Sequence, residues 1–164
     1  MTQLYIIRHG LAGERGTYAN DDERPLTEEG HRKTKKVAKR LVSLDLHFDL
    51  ILTSPLVRAK QTAEILKAVG LSDQLEESVY LAHGGDFNAW LTWLDKWQQT
   101  GGECLAIVGH EPDLSEWAEL LVWGEPKGRI LLKKTGCMGL TLPSSGSPIG
   151  QSQLFWLTSP RLLL

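Results

Sequence analysis

Three short runs constrain what this chain can fold into. Leu4–Ile7, Leu50–Thr53 and Cys104–Val108 are apolar almost without interruption, rather than alternating apolar with polar. Strands that read this way are covered on both faces, as in a parallel sheet. The segments between them carry helix signals. Thr27 is placed to N-cap a helix running from Glu28 to about Leu44. Its acidic first turn and its Lys39 and Arg40 suit the two ends of the helix dipole, and Val37, Leu41 and Leu44 mark a buried face. A second helix is expected from Pro55 to about Val69, with Gly70 as its stop. A third is expected from near Asp86 to near Gln99, and a fourth from Pro112 to Gly124. Met138–Leu142 and Leu154–Leu157 read as outer strands, joined by the turn-rich stretch Ser144–Ser152. Strands alternating with helices predict an α/β three-layer sandwich, with a mainly parallel central sheet and helices on both faces.

A length of 164 residues suits one domain spanning 1–164, and 41% hydrophobic with 23% charged residues suits a packed core. The 18 basic and 20 acidic side chains leave a net charge of -2. No global basic field exists to bind nucleic acid. No apolar stretch approaches a membrane span and no signal-peptide pattern opens the chain, so a cytoplasmic location is expected. Cys104 and Cys137 form no disulfide framework and no C-x-x-C pair, and they read as free, mostly buried thiols.

In open α/β sheets, ligands bind beyond the carboxyl ends of the strands. The first run is followed by Arg8 and His9, the second by Ser54, Pro55 and then Arg58, and the third by Gly109 and His110. Two arginines and two histidines therefore fall at one sheet edge. Of the other histidines, His31 and His47 follow no strand, and His83 reads as a rim residue without a role. Guanidinium forks match phosphate oxygens. The helices that begin after Ser54 and His110 add backbone N–H groups and positive ends. A neutral histidine among these cations can attack phosphorus, and a second histidine can stabilise the transferring group.

With these residues in place, the chain resembles the histidine phosphatase superfamily, named for the triplet Arg8-His9-Gly10. Three further blocks agree in order: Arg24–Gly30 (RPLTEEG), Thr53–Glu64 (TSPLVRAKQTAE) and Val108–Ser115 (VGHEPDLS). Its length and lack of long inserts are most similar to the compact SixA-type phosphohistidine phosphatases. The resemblance implies a phosphoglycerate-mutase-like fold. It also implies His9 as nucleophile and Arg8, Arg58 and His110 as holders of the phosphoryl group, with Arg24 as a further phosphate contact. No metal or organic cofactor is implied. The implied substrate is a phosphorylated protein such as a phosphotransfer domain, with a small phosphate ester as the alternative.

The proton donor is the open position. Larger members of the superfamily use an acidic residue after the second βα unit. Here that region reads LAHGGDFNAW, which makes Asp86 the candidate, at a position where a helix N-cap also belongs. Glu111 and Asp113 flank His110 as weaker candidates. A phosphohistidine substrate lessens the need for an acid, because its leaving imidazole can take a proton before the P–N bond breaks. Trp90, Trp93 and Trp97 recur at helical spacing and read as a packing face, with Trp93, if exposed, as a docking alternative.

Other phosphate chemistries fail simple checks. Six positions after Cys104 stands His110 and six after Cys137 stands Pro143, so no cysteine phosphatase loop exists. There is no P-loop, and His110-Glu111-Pro112-Asp113 lacks the second histidine of a zinc-protease motif. A mutase needs an enclosing lid that this short chain has little material for. A binding module without turnover is the remaining reading of a different class.

Overall fold

The computed structural model describes residues 1–164. Six strands form one sheet: β1 (Thr2–Arg8), β2 (Leu50–Thr53), β3 (Leu75–Glu77), β4 (Cys104–Gly109), β5 (Cys137–Leu142) and β6 (Gln153–Thr158). Their spatial order is β3-β2-β4-β1-β5-β6. The first four lie parallel, and β5 and β6 join antiparallel at one side. Four helices fill the connections: α1 (Glu28–Ser43), α2 (Val57–Ala68), α3 (Phe87–Gln99) and α4 (Asp113–Trp123).

Each central strand feeds two cores because successive side chains point to opposite faces. Leu4 and Ile6 of β1, with Leu105 and Ile107 of β4, face a core closed by Trp90 and Leu94 of α3 and by Leu114, Trp117 and Leu121 of α4. Tyr5 and Ile7, with Ala106 and Val108, face the other core, closed by Val37 and Leu41 of α1 and by Ala59, Ala63 and Leu66 of α2. This double coverage is why the three runs are apolar throughout, and it makes the molecule a three-layer sandwich.

The caps expected at Thr27 and Asp86 are present. Thr27 Oγ1 accepts from Gly30 N at 3.0 Å, and Asp86 Oδ1 accepts from Ala89 N at 3.0 Å. The second helix starts later than Pro55. Ser54 Oγ accepts from Leu56 N at 3.1 Å, which shapes a turn that delays the helix until Val57. Strand β3 was not expected; it is three residues long and carries two exposed glutamates. Trp90 is buried, and Trp93 and Trp97 stack on each other against the same core, so the tryptophans are a packing face. Cys137 is buried and Cys104 partly so, both as free thiols.

Between α4 and β5 the chain is clamped by a buried carboxylate. Glu119 of α4 accepts backbone N–H groups from Lys127, Gly128, Arg129 and Ile130 at 2.6–3.0 Å. This clamp holds the segment that leads to Leu132 and Lys134 at the sheet edge.

Candidate active site

Strand register brings the site together. Arg8 sits opposite Gly109 and Thr53 opposite Val108. The residues that follow, His9, Ser54 and His110, therefore emerge side by side beyond the carboxyl ends of β1, β2 and β4. The His9 and His110 rings lie 5.2 Å apart between centroids. Arg58 enters from the first turn of α2, whose Thr62 ties that helix to the first strand. Thr62 Oγ1 donates to Arg58 O at 2.8 Å and accepts from Gly10 N at 3.0 Å. Gly10 has to be small here, because a Cβ would collide with Thr34 Oγ1 of α1.

Arg8, His9, Arg58 and His110 line a cavity of about 470 Å³. Five cations line it (Arg8, Arg15, Arg24, Arg58 and Lys134) against two acids, Glu14 and Glu111. A chain of net charge -2 thus gathers a local excess of three positive charges. The N-terminal turns of α2 and α4 begin at the same edge.

His9 is 5% exposed, and its Nδ1 lies 2.7 Å from the carbonyl oxygen of Gly10. A carbonyl only accepts, so Nδ1 carries the proton and Nε2 keeps its lone pair. Burial pushes the His9 pKa down to about 3, against the Gly10 hydrogen bond and helped by Arg58, Arg8 and Lys134. The imidazole is neutral at pH 7. His110 is pushed down to about 2, first by burial and then by His9, His83 and Arg58. Its Nε2 lies 2.8 Å from Ser54 Oγ. That hydroxyl oxygen already accepts from Leu56 N, which leaves its proton free to donate to Nε2. With Ser54 as donor, the His110 proton sits on Nδ1, a buried atom without a partner.

The arginines are held with part of their hydrogen-bonding capacity in reserve. Arg8 Nη1 donates to Leu132 O at 3.1 Å, and its buried Nε has no partner. Arg58 is 1% exposed. It donates through Nη1 to Asp21 O at 2.8 Å and through Nη2 to Asp21 Oδ2 at 3.1 Å, and its Nε is also unpartnered. Asp21 Oδ1 accepts from Arg24 Nε at 2.9 Å, and Arg24 Nη1 donates to Gly13 O at 2.8 Å. Asp21 therefore bridges two arginines. Its carboxyl is held below the usual range by the Arg24 hydrogen bond and by Arg58.

The expected residues Arg8, His9, Arg24, Arg58 and His110 all line the cavity, and Asp86 does not. Its carboxylate caps α3 instead, so the position proposed for the proton donor serves the helix. Asp113 is likewise engaged, accepting from Gly84 N at 2.8 Å. Glu111 lines the cavity, but both its oxygens accept from Ser115, through N–H and Oγ. Sequence reasoning missed Asp21, Ser54 as a partner of His110, Thr62, Lys134 and above all His83. His83 Nε2 lies 2.8 Å from Arg58 Nη2, and its ring centroid is 4.2 Å from that of His110.

The sequence model of the histidine phosphatase superfamily (branch 1) matches residues 4–111, and the chain belongs to that superfamily. Within it the chain sides with the SixA-type branch. It is 27% identical over 146 residues to the phosphohistidine phosphatase SixA of Escherichia coli, covering 88% of each chain. The structure of the protein histidine phosphatase SixA complexed with tungstate superposes with a TM-score of 0.87, at 26% identity, over 99% of this chain and 100% of that one. An uncharacterized protein of Picosynechococcus sp. is 47% identical over 166 residues, covering 99% of both chains. The phosphoglycerate-mutase-like fold and the phosphatase class follow from this membership.

Proposed function

We propose that this protein is a metal-independent protein phosphohistidine phosphatase of the SixA type, acting on a phosphotransfer domain of a signalling relay. The observation that carries this reading is the buried, neutral His9 with its Nε2 lone pair free. Beside it stand three buried donor atoms that lack partners: Arg8 Nε, Arg58 Nε and His110 Nδ1. Unpaired buried donors are costly, and an oxyanion is what satisfies them. That the similar protein histidine phosphatase SixA forms a complex with tungstate, an oxyanion, supports this reading.

In this reading His9 Nε2 attacks phosphorus, and the bond to the leaving atom breaks as the N–P bond forms. Arg8, Arg58 and His110 hold the phosphoryl oxygens and stabilise the charge that develops on them. Arg24 acts mainly through Asp21, which keeps Arg58 aimed. Water then cleaves the phospho-His9 bond and returns the imidazole. These steps draw on this chain's own side chains and call on no metal ion. No helix is long and apolar enough to cross a membrane.

The test is phosphate release in the presence of chelator, from a phosphohistidine-bearing phosphotransfer domain and from an aryl phosphate, with His9→Ala as blank. A higher kcat/KM for the phosphohistidine protein is expected, together with an acid-labile phosphoenzyme that His9→Ala lacks. Preference for the aryl phosphate would move the substrate to small molecules and keep the chemistry. Release from neither, with phosphate bound, would leave a binding module.

A further inference from the structure

The capping role of Asp86 leaves the leaving group without a proton source, and the same loop offers one three residues earlier. His83 lines the cavity, with its ring centroid 4.2 Å from that of His110 and its Nε2 2.8 Å from Arg58 Nη2. A guanidinium can only donate, so His83 Nε2 accepts and its proton sits on Nδ1. Of the cavity's two carboxylates, Glu111 has both oxygens engaged by Ser115. Glu14 lies on the exposed loop after β1, and no hydrogen bond orients its carboxylate.

The loop that carries His83 is built to hold it. Gly84 N donates to Asp113 Oδ2 at 2.8 Å, which fastens the loop to α4. Gly85 packs so tightly that a Cβ would collide with the Tyr80 carbonyl. The charged groups facing His83 come from four elements. Arg58 of α2 and Arg15 of the loop after β1 disfavour its cation, and Asp113 of α4 and Asp21 of the turn before α1 favour it. Burial, followed by Arg58, holds its pKa below the ordinary value, so the imidazole is neutral here. A phosphoryl dianion adds two negative charges among these groups and reverses that balance.

We propose that His83 is the proton-transfer residue of the site: it accepts from Arg58 as a neutral imidazole, takes up a proton when a phosphoryl dianion enters, and delivers that proton to the leaving atom. The proposal rests on the phosphatase reading above. For an ester, the O–P bond breaks as His9 Nε2 bonds to phosphorus. Its electron pair goes to the leaving oxygen, which receives the proton from the His83 imidazolium. In the second half, the now neutral His83 takes a proton from the attacking water as the phospho-His9 bond breaks and its electrons return to Nε2. Protonation also ends acceptance from Arg58 Nη2, which frees that N–H for a phosphoryl oxygen.

The leaving-group dependence of the loss separates this role from a structural one. His83→Gln keeps an acceptor for Arg58 but cannot carry a proton, and His83→Ala removes both. With phenyl phosphate, a poor leaving group, kcat/KM of His83→Gln is expected to fall about 100-fold. With 4-nitrophenyl phosphate the loss is expected to stay within about 5-fold. Equal losses on both esters, or no loss on either, would overturn the proposal. An NMR titration of the His83 ring reads the proton uptake without turnover. Its pKa is expected to rise on saturation of the wild-type protein with inorganic phosphate, and an unmoved pKa would overturn the proposal. A wild-type protein silent on both esters and on phosphohistidine would instead sink the phosphatase reading, and the titration alone would then decide the behaviour of His83.

Discussion

Arg58 and Glu119 are each 1% exposed, and each carries a full charge into the protein. Around Glu119 the charge is fully answered, because four backbone N–H groups converge on its two oxygens and nothing is left for a ligand. Around Arg58 the answer is partial. Asp21 and His83 take the terminal nitrogens, and Nε stays unpartnered, as do Arg8 Nε and His110 Nδ1 nearby. Burial by itself therefore does not mark a functional charge. The difference lies in whether the local backbone completes the hydrogen bonds or leaves them to a ligand. The two regions are also joined, since the segment clamped by Glu119 carries Leu132, whose carbonyl orients Arg8.

The largest expected effect breaks the comparison at its centre. His9→Ala removes the Nε2 lone pair, so phosphoenzyme formation should vanish and turnover fall by about 10³-fold or more. Trapping phosphoenzyme in acid-quenched, gel-resolved samples checks this, and undiminished labelling would refute the nucleophile. Arg58→Ala comes next. It removes a donor from the transition state and leaves Asp21 without one of its partners. A loss of about 10²–10³-fold in kcat/KM is expected, with weaker binding of inorganic phosphate as well. Calorimetric titration with phosphate separates the binding part from the chemical part.

Acid should affect the reserved region first. His9 and His110 have folded pKa values of about 3 and about 2, below the 6.5 of the unfolded chain. Between those limits the unfolded state binds more protons, so stability is lost as pH falls below 6.5. The slope is at most about 1.4 kcal/mol per pH unit for each imidazole. Bound phosphate favours the imidazolium forms and should flatten this window. Urea midpoints measured at pH 7 and pH 5, with and without phosphate, test both statements. An equal midpoint at the two pH values without phosphate would show that the histidines are not held neutral.

The parts of this molecule legible in the sequence are those fixed by local rules. Double burial makes β1, β2 and β4 apolar throughout, and Thr27 and Asp86 announce their helices by capping chemistry. Arg8, His9, Arg58 and His110 were foreseeable at one edge because parallel strands all end there. What stayed hidden depends on pairings across long separations. Asp21 stands in the run Asn20-Asp21-Asp22-Glu23, where nothing local chooses which acid meets Arg58. His83 lies 25 positions from Arg58, in a loop whose course follows from a bond to Asp113 on another helix. Asp86 was open to two roles, because one carboxylate at a helix start fits both, and it caps α3. β3 escaped notice because an edge strand of three residues with two exposed glutamates lacks the apolar run that marked its neighbours.

Glu119 was hidden for a related reason, as one acid within an otherwise apolar stretch of α4, and its replacement gives the smallest and most discriminating expected effect. Glu119→Gln keeps the shape and removes the charge. An amide has one acceptor oxygen for four N–H donors, and its own NH₂ faces two of them. The loss is expected to be about 2 kcal/mol in stability. The carboxylate is also held below its usual pKa of 4.5 by those N–H bonds, against the opposing effect of burial. Its stabilising contribution is therefore present above pH 4.5 and lost as pH falls through the folded value. The Glu119→Gln difference should accordingly shrink in acid. Arg8 keeps its backbone tie from N to Gly136 O in the variant, so kcat per folded molecule should stay within about 3-fold of wild type. Thermal melts and active-site-normalised rates on the same samples decide the matter. A large loss of rate without loss of stability would mean that the clamp tunes Arg8 rather than holding the fold, and the contrast between a satisfied and a reserved charge would no longer divide structure from function.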